Sequence, residues 1–318
     1  DSDTTQPKTF LAETTATHLD PPTLELARDY SWQVVAVDSN AVEYPGPVWT
    51  FRTEGAFDAS KIGEMVAVPA GELRIGCDES NPLRPFSFYK REKPVHTVYL
   101  DAFEIDKYET TNAEYRACVE AKACNPPRRD ESYAREPYFS DLAYSHHPVL
   151  YVSWWDANDY CGWKGKRLPT EAEWEKAARG PIDTRAWPWG HERIDCSRAN
   201  MTDDASEDWT VCVGDTTQVG TYPTGASPYG AMDMSGNVFE WVADAWELGY
   251  YHESPYDNPT GPDANTKVGA STLFVLRGGS YRPRWFYPQT NHRKAGHHGD
   301  APYYRNDQVG FRCARSLE

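Results

Sequence analysis

The chain has 318 residues, and its 32 Lys and Arg against 48 Asp and Glu give a formal net charge of −16. Such an acidic chain lacks the clustered basic residues that phosphate binding needs, so a nucleic-acid partner is not expected. Aromatic residues make up 14% of the sequence, which excludes the composition of a disordered chain. No run of 18 apolar residues occurs, so no membrane span is expected.

Two β-strands are predicted near the start of the chain. Residues 30–38 alternate and are rich in β-branched side chains, and residues 48–53 form a second candidate strand. The pair resembles the last two strands of a fibronectin type III module, whose opening strands are missing here. A plain β-hairpin is the alternative. We therefore expect a partial fibronectin type III-like β segment over residues 1–54, followed by a second domain over residues 55–318.

Three helix starts are predicted by their capping residues. The candidate N-caps are Thr111, Ser153 and Thr170. Glu114 and Glu173 each follow a Thr by three residues, which is the spacing of a capping box. Gly180 is expected to end the helix that begins after Thr170. Residues 181–318 show little helical periodicity and are rich in Gly, Pro, Asp, Asn and Trp, which indicates long ordered loops on a compact scaffold.

Seven cysteines occur without a CxxC pair, which weakens zinc-binding and thioredoxin-like interpretations. The candidate disulfides are Cys118–Cys124, Cys196–Cys212 and, as a long-range option, Cys161–Cys313. Cys77 is then a free thiol. Three disulfides are typical of an exported protein, so we expect an extracellular or cell-surface location. The alternative is seven reduced thiols in a cytosolic protein.

Six sequence blocks carry a family resemblance. They are Met65–Pro69, Tyr108–Asn112, Gly165–Glu175, Ser235–Trp241, Leu276–Tyr281 and Val309–Cys313. Together, and in this order over about residues 60–316, they resemble the formylglycine-generating enzyme family, also called the sulfatase-modifying factor family. The resemblance implies an α+β fold, a loop-rich variant of the C-type lectin fold that often binds calcium.

The resemblance also implies which activity to test for. Formylglycine-generating enzymes bind copper through two cysteines shortly after the Gly-Gly-Ser block and oxidise a substrate cysteine with oxygen. Here no cysteine lies between Ser280 and Cys313. Without two thiolates there is no soft two-coordinate Cu(I) site, so neither copper nor cysteine-oxidase activity is expected. The family pattern does support pairing of Cys313 with Cys161.

Calcium is the cofactor that the resemblance implies instead, in a structural role. The first expected site uses the side chains of Asp233 and Glu240 and the carbonyls of Gly236 and Val238. The second begins at Asn200 and the carbonyl of Met201, and its other candidates are Asp203, Asp204, Asp208 and Asp215. Hard cations prefer such oxygen ligands. The alternative is that these acids are solvated residues capped by local turns.

The segment around residues 282–305 is the predicted ligand surface. Its candidate contacts are Ser280, Arg282, Arg284, Trp285, Tyr287, Arg293, His297 and Tyr304. Aromatic rings and arginines supply stacking and bidentate hydrogen bonds, although about half of them are equally suited to fill a loop core. His292, His297 and His298 are a candidate metal cluster, for which an ordinary polar loop is the alternative.

These features favour a non-catalytic, calcium-stabilised extracellular module that binds a glycan, a peptide or a protein. The alternative is a divergent metal-dependent oxidoreductase, or an enzyme of peptide or siderophore maturation, so enzymatic activity stays open. A third possibility is a structural subunit that assembles with other chains or with further domains of its parent protein.

Overall fold

The computed structural model divides into two compact units, Asp1–Asp58 and Ala59–Glu318. The structure describes residues 29–37, 43–52, 63–77, 91–180, 185–192, 195–203, 210–262, 272–282, 290–296 and 304–317. The described part of the chain contains no helix that is long and apolar enough to cross a membrane.

The first unit contains an antiparallel strand pair. The strands are β1 (Asp29–Val37) and β2 (Glu43–Arg52), and Trp32 lies opposite Trp49 in their register. The register shifts between Gln33 and Val35. The two predicted strands are therefore confirmed, and their assignment to a fibronectin type III-like segment ending at residue 54 stays a prediction.

In its described residues, the second unit is built from small sheets and three α-helices. Its strands are β3 (Met65–Val68), β4 (Gly71–Ile75), β5 (His96–Leu100), β6 (Phe103–Asp106), β7 (Thr202–Asp203), β8 (Thr210–Val211), β9 (Phe239–Ala245), β10 (Phe274–Arg277), β11 (Lys294–Ala295), β12 (Val309–Phe311) and β13 (Ala314–Ser316). The sheet orders are β11-β10-β9-β12, β13-β6-β3, β4-β5 and β7-β8, and only β12 and β9 run parallel among these described pairs. This mixed architecture confirms the predicted α+β class.

The helices begin at the predicted caps. They are α1 (Asn112–Glu120), α2 (Trp154–Trp163) and α3 (Glu171–Arg179), with N-caps Thr111, Ser153 and Thr170. All three form capping boxes, in which the cap side chain accepts from the third helical N–H and an acidic side chain accepts from the cap N–H. Gly180 ends α3 with a φ of 86°, a conformation that favours glycine.

Disulfides and aromatic stacking hold the core around β9 and α2. The structure forms the three expected disulfides, Cys118–Cys124, Cys161–Cys313 and Cys196–Cys212, and Cys77 is a buried thiol outside them. Trp154 stacks on Phe274 with ring centroids 3.9 Å apart, and both pack near Trp241. The cross-link between α2 and the segment after β12 therefore lies inside the hydrophobic core.

A buried ion network lies beside the apolar packing of α3, whose Trp174 and alanines belong to the hydrophobic core. All nine residues of this helix are buried, including Glu171 and Glu175. Glu171 accepts two hydrogen bonds from Arg293, at 2.9 and 2.7 Å, while Glu175 accepts one from Arg277 at 2.5 Å. Arg293 is fully buried, so it belongs to the core and not to the ligand surface on which the sequence analysis placed it. A buried guanidinium needs such partners because an unpaired charge would be very costly there.

Candidate ligand-binding site around Ser280

The candidate site begins at the turn that follows β10. Gly278 and Gly279 have φ values of 86° and 78°, and a Cβ on Gly278 would lie 3.2 Å from the Trp174 ring. This turn brings Ser280 against the loop that precedes β12. There the Ser280 hydroxyl donates a hydrogen bond to Gln308 Oε1 at 3.0 Å. The Gly-Gly-Ser block therefore fixes the serine by backbone geometry.

Arg282 lies next to Ser280, between a carboxylate and an aromatic ring. Its Nη1 donates to Asp307 Oδ2 at 3.2 Å, and its guanidinium carbon is 4.1 Å from the centroid of the Tyr133 ring. The Tyr133 side chain is 58% exposed, which is unusual for a large aromatic residue. Arg282 is itself about one-third exposed, so the stacked pair faces solvent.

Asp215 holds the loop that presents Tyr133. Its Oδ2 accepts from the Ser132 hydroxyl at 2.6 Å and from the Ala134 N–H at 3.0 Å, one residue on each side of Tyr133. Its Oδ1 accepts from the Thr216 N–H at 2.7 Å. Both oxygens thus accept hydrogen bonds within the protein, so the structure gives Asp215 a positioning role, while its part in a calcium site stays a prediction.

A second tyrosine lies beside this loop in a strained conformation. Tyr151 has a φ of 56°, which side chains with a Cβ rarely adopt and which often marks functional positions. Its hydroxyl donates to Glu131 Oε1 at 3.1 Å, and Arg129 donates to the same oxygen at 2.6 Å. Burial, together with the nearby charges of Asp307 and Glu131, raises the pKa of Tyr151 to about 12. The phenol therefore stays protonated at neutral pH and acts as a hydrogen-bond donor.

The arrangement is suited to binding. It combines the exposed Tyr133 ring, the partly buried Tyr151 ring and two guanidinium–carboxylate pairs, Arg282–Asp307 and Arg129–Glu131. The described part of the site does not pair Ser280 with a general base, because its hydroxyl donates to the neutral amide of Gln308. Nucleophilic catalysis needs a base within hydrogen-bond reach of the nucleophile. The geometry therefore favours recognition over covalent chemistry at Ser280.

The other predicted ligand contacts divide into two groups. Arg284, Trp285, Tyr287 and His297 lie outside the described residues, as do His298 and Asp204. Tyr304 is half-buried edge-on against Trp241, with ring centroids 6.4 Å apart, so it packs on the core. His292 is buried, and its Nδ1 lies 2.9 Å from Glu92 Oε1. Among the described residues no group of three His, Cys, Asp or Glu side chains is arranged to hold a metal ion.

The first predicted calcium set surrounds a carboxylate that is already paired. Glu240 accepts hydrogen bonds from Arg312 Nε and Nη2, both at 2.7 Å, and from Trp174 Nε1 at 2.8 Å. Both residues of the ion pair are fully buried. The guanidinium thus offsets the charge of Glu240 within the protein, which weighs against a calcium ion at this carboxylate, and calcium binding by the first set stays a prediction.

The other residues of the first predicted calcium set contact the backbone around them. Asp233 Oδ2 accepts from the Gly220 N–H at 2.6 Å. Gly236 has a φ of 88°, and a Cβ there would lie 2.4 Å from the Asn200 carbonyl oxygen. The Val238 N–H donates to Glu109 Oε1 at 3.2 Å. These residues therefore have a local structural role in closing the turn before β9.

The second predicted calcium set retains one open oxygen. Asn200 is buried, and its Nδ2 donates to the Asp215 carbonyl at 2.8 Å and to Asn237 Oδ1 at 3.2 Å. Its Oδ1 has no hydrogen-bond donor in the described part of the chain. Buried acceptors are nearly always satisfied, so this oxygen fits a cation or a water molecule. The Met201 carbonyl accepts from the Cys212 N–H at 2.8 Å.

Sequence reasoning missed several residues of the site. Tyr133, Tyr151 and Glu131 gave no signal, because each is a single position in an irregular loop. Arg312 lies in a recognised block, Val309–Cys313, whose buried partner was not apparent from the sequence. The useful signal was proximity of Asp307 to that block in the chain.

Similarity to known proteins decides the family. A match to the sulfatase-modifying factor enzyme 1-like domain covers residues 51–317. The chain belongs to this family. A formylglycine-generating enzyme of Streptomyces coelicolor is 31% identical over 316 residues, covering 87% of this chain and 97% of that protein. The structure of PvdO from Pseudomonas aeruginosa is 27% identical, with a TM-score of 0.61 over 82% of this chain and 97% of that one.

A different kind of relative contains the same domain within a longer protein. The serine/threonine-protein kinase pkn1 of Chlamydia caviae is 33% identical over 270 residues, which cover 80% of this chain. The chain spans 38% of the length of that relative. The family resemblance expected from the six blocks is confirmed, and sulfatase-modifying factor domains therefore occur both alone and as parts of larger chains.

Proposed function

We propose that this chain is a non-catalytic ligand-binding module of the sulfatase-modifying factor family, with its site around Ser280. The observation that carries the proposal is the environment of that serine, because its hydroxyl bonds to the Gln308 amide and Arg282, two residues later, lies over the exposed Tyr133 ring. Rigid polar and aromatic groups of this kind supply orientation and contact area for a ligand.

The absence of two cysteines from the sequence also supports the non-catalytic proposal. The copper-dependent reaction that the family resemblance implies needs two cysteines after the Gly-Gly-Ser block. This chain has no cysteine from Tyr281 to Arg312. Cys313 is committed to a disulfide with Cys161. The chain thus lacks the thiolates of that mechanism.

We further propose that the module is extracellular and that one calcium ion binds at Asn200. Three disulfides favour an oxidising compartment. The open Oδ1 of Asn200 supports a bound cation there, whereas the Arg312–Glu240 pair argues against one at Glu240. The fibronectin type III-like segment before residue 55 fits a protein with several extracellular modules.

One experiment tests the proposal directly. The purified native protein is analysed for Ca, Fe, Cu and Zn, and is then incubated with a cysteine-containing peptide, copper and oxygen. We expect up to one calcium per chain, no stoichiometric redox metal and no oxidation of the peptide by mass spectrometry. The Streptomyces coelicolor relative serves as the positive control. Near-stoichiometric iron or copper, or conversion of the peptide, would overturn the proposal in favour of a divergent enzyme.

A further inference from the structure

The charged groups of the candidate site have a composition that restricts the ligand. Two guanidinium groups, of Arg129 and Arg282, are each paired with one carboxylate, of Glu131 and Asp307, so the four charges cancel. Each guanidinium uses only part of its five donors in these pairs. The site therefore offers several hydrogen-bond donors and acceptors together with no net charge.

Each guanidinium also lies over a tyrosine ring. Arg282 is 4.1 Å from the Tyr133 centroid, and Arg129 is 5.7 Å from the Tyr151 centroid. The two clusters are neighbours, because the charge of Asp307 acts on the Tyr151 phenol and the Tyr151 N–H donates to the carbonyl of Asn306. The result is one surface with an exposed ring and a fringe of donors and acceptors.

From these contacts we infer that the surface formed by Tyr133, Tyr151, Arg129, Arg282 and Asp307 binds a neutral carbohydrate. The inference rests on the proposed binding function and specifies its ligand class. A sugar ring has a face of C–H groups that packs on an aromatic ring and an edge of hydroxyls that both donate and accept. Paired carboxylate and guanidinium groups match such hydroxyls without requiring charge on the ligand.

Other ligand classes fit this surface less well. An anion would meet guanidinium groups that are already neutralised, on a chain whose net charge is −16. A cation would meet carboxylates that are already paired. An extended peptide needs open backbone groups for strand addition, and at Tyr151 both are used, the N–H by Asn306 and the carbonyl by Arg128.

The test begins with the fluorescently labelled full chain on a printed array. The array carries neutral, sialylated and sulfated glycans beside unstructured peptides. We expect binding to neutral glycans, and an affinity that changes less than about twofold between low and high salt, because no net charge is involved. Binding to peptides alone, binding to charged glycans alone, or no binding would each overturn the carbohydrate inference.

Substitutions in the proposed surface then test whether the ligand binds there. Calorimetric titration with the best neutral glycan is repeated for Tyr133→Ala and Arg282→Ala, and we expect each to weaken binding about tenfold or more. Tyr256→Ala is the matched control, because Tyr256 is also exposed, at 48%, but bonds to Glu72 elsewhere. Equal affinity of the Tyr133 variant and the control would refute the assignment.

The two proposals fail in different ways. Peptide-only binding would remove the carbohydrate inference and leave the binding module in place. Oxidation of a cysteine peptide would remove the non-catalytic proposal whatever the array shows. Circular dichroism of each variant confirms that loss of binding does not reflect loss of fold.

Discussion

Replacing Glu240 with Gln tests whether the partner of this carboxylate is the Arg312 guanidinium or a calcium ion. The substitution keeps the size of the side chain and removes its charge. In the wild type, three N–H donors from Trp174 and Arg312 bond to the two buried oxygens of Glu240. In the variant these donors meet a neutral amide with one oxygen, and the fully buried Arg312 guanidinium loses its counter-charge. We therefore expect a large loss of stability.

The magnitude follows from the burial and from the neighbouring acids. Breaking a buried ion pair from one side costs about 3–5 kcal/mol. Burial and the charges of Asp233 and Glu240 raise the pKa of Glu109 well above its usual range, so removing the Glu240 charge relieves some repulsion. We expect about 3 kcal/mol for Glu240→Gln, and at 2–4 °C per kcal/mol this lowers Tm by roughly 6–12 °C.

The assay is thermal unfolding followed by circular dichroism, with and without EGTA. The control is Glu104→Gln, whose partner Arg315 is exposed, and such surface pairs contribute about 0–1 kcal/mol. If Arg312 is the partner of Glu240, EGTA shifts the Tm of the wild type and the Tm of Glu240→Gln by the same amount. A wild-type Tm that falls with EGTA while the variant does not respond would show that Glu240 binds calcium, and would refute the argument.

Two further predictions concern the core. Replacing Cys161 and Cys313 with Ala opens a loop with a sequence separation of 152 and should lower the free energy of unfolding by about 5 kcal/mol through chain entropy. The same replacement of Cys118 and Cys124, at a separation of 6, should lower it by about 2 kcal/mol. Equal shifts in the urea midpoint of the two variants would contradict this order. Burial raises the pKa of Asp244 well above its usual range, so its ionisation destabilises the fold as pH rises above about 4. Asp244→Asn should raise Tm at pH 7 and flatten the fall in Tm between pH 4 and 7, and an unchanged Tm profile would count against it.

Local signals in the sequence were sufficient for the helices. The capping boxes at Thr111 and Thr170 involve residues three positions apart, so their chemistry can be read without the fold. Ser153 illustrates the same point, although its box partner is an Asp. The pairs Cys118–Cys124 and Cys196–Cys212 were also apparent, because short Cys-bracketed loops restrict the pairing, whereas Cys161–Cys313 was supported by the family resemblance.

The site was less predictable because its contacts join distant parts of the chain. Arg293 looked like a surface residue in a polar loop, yet its partner Glu171 lies 122 positions away on a buried helix. The residues on either side of the exposed Tyr133 are fixed by Asp215, which lies 82 positions later than Tyr133. No local pattern records such pairs, so charge and polarity alone could not separate core from surface here.

The placement of β12 and β13 has a consequence for synthesis on the ribosome. β12 pairs with β9 in the four-stranded sheet, and β13 pairs with β6 in the three-stranded one. Both sheets therefore keep an unsatisfied edge until residues 309–316 have left the exit tunnel. The nascent second unit must wait for these residues, and its exposed edges in that interval are where a chaperone would need to act.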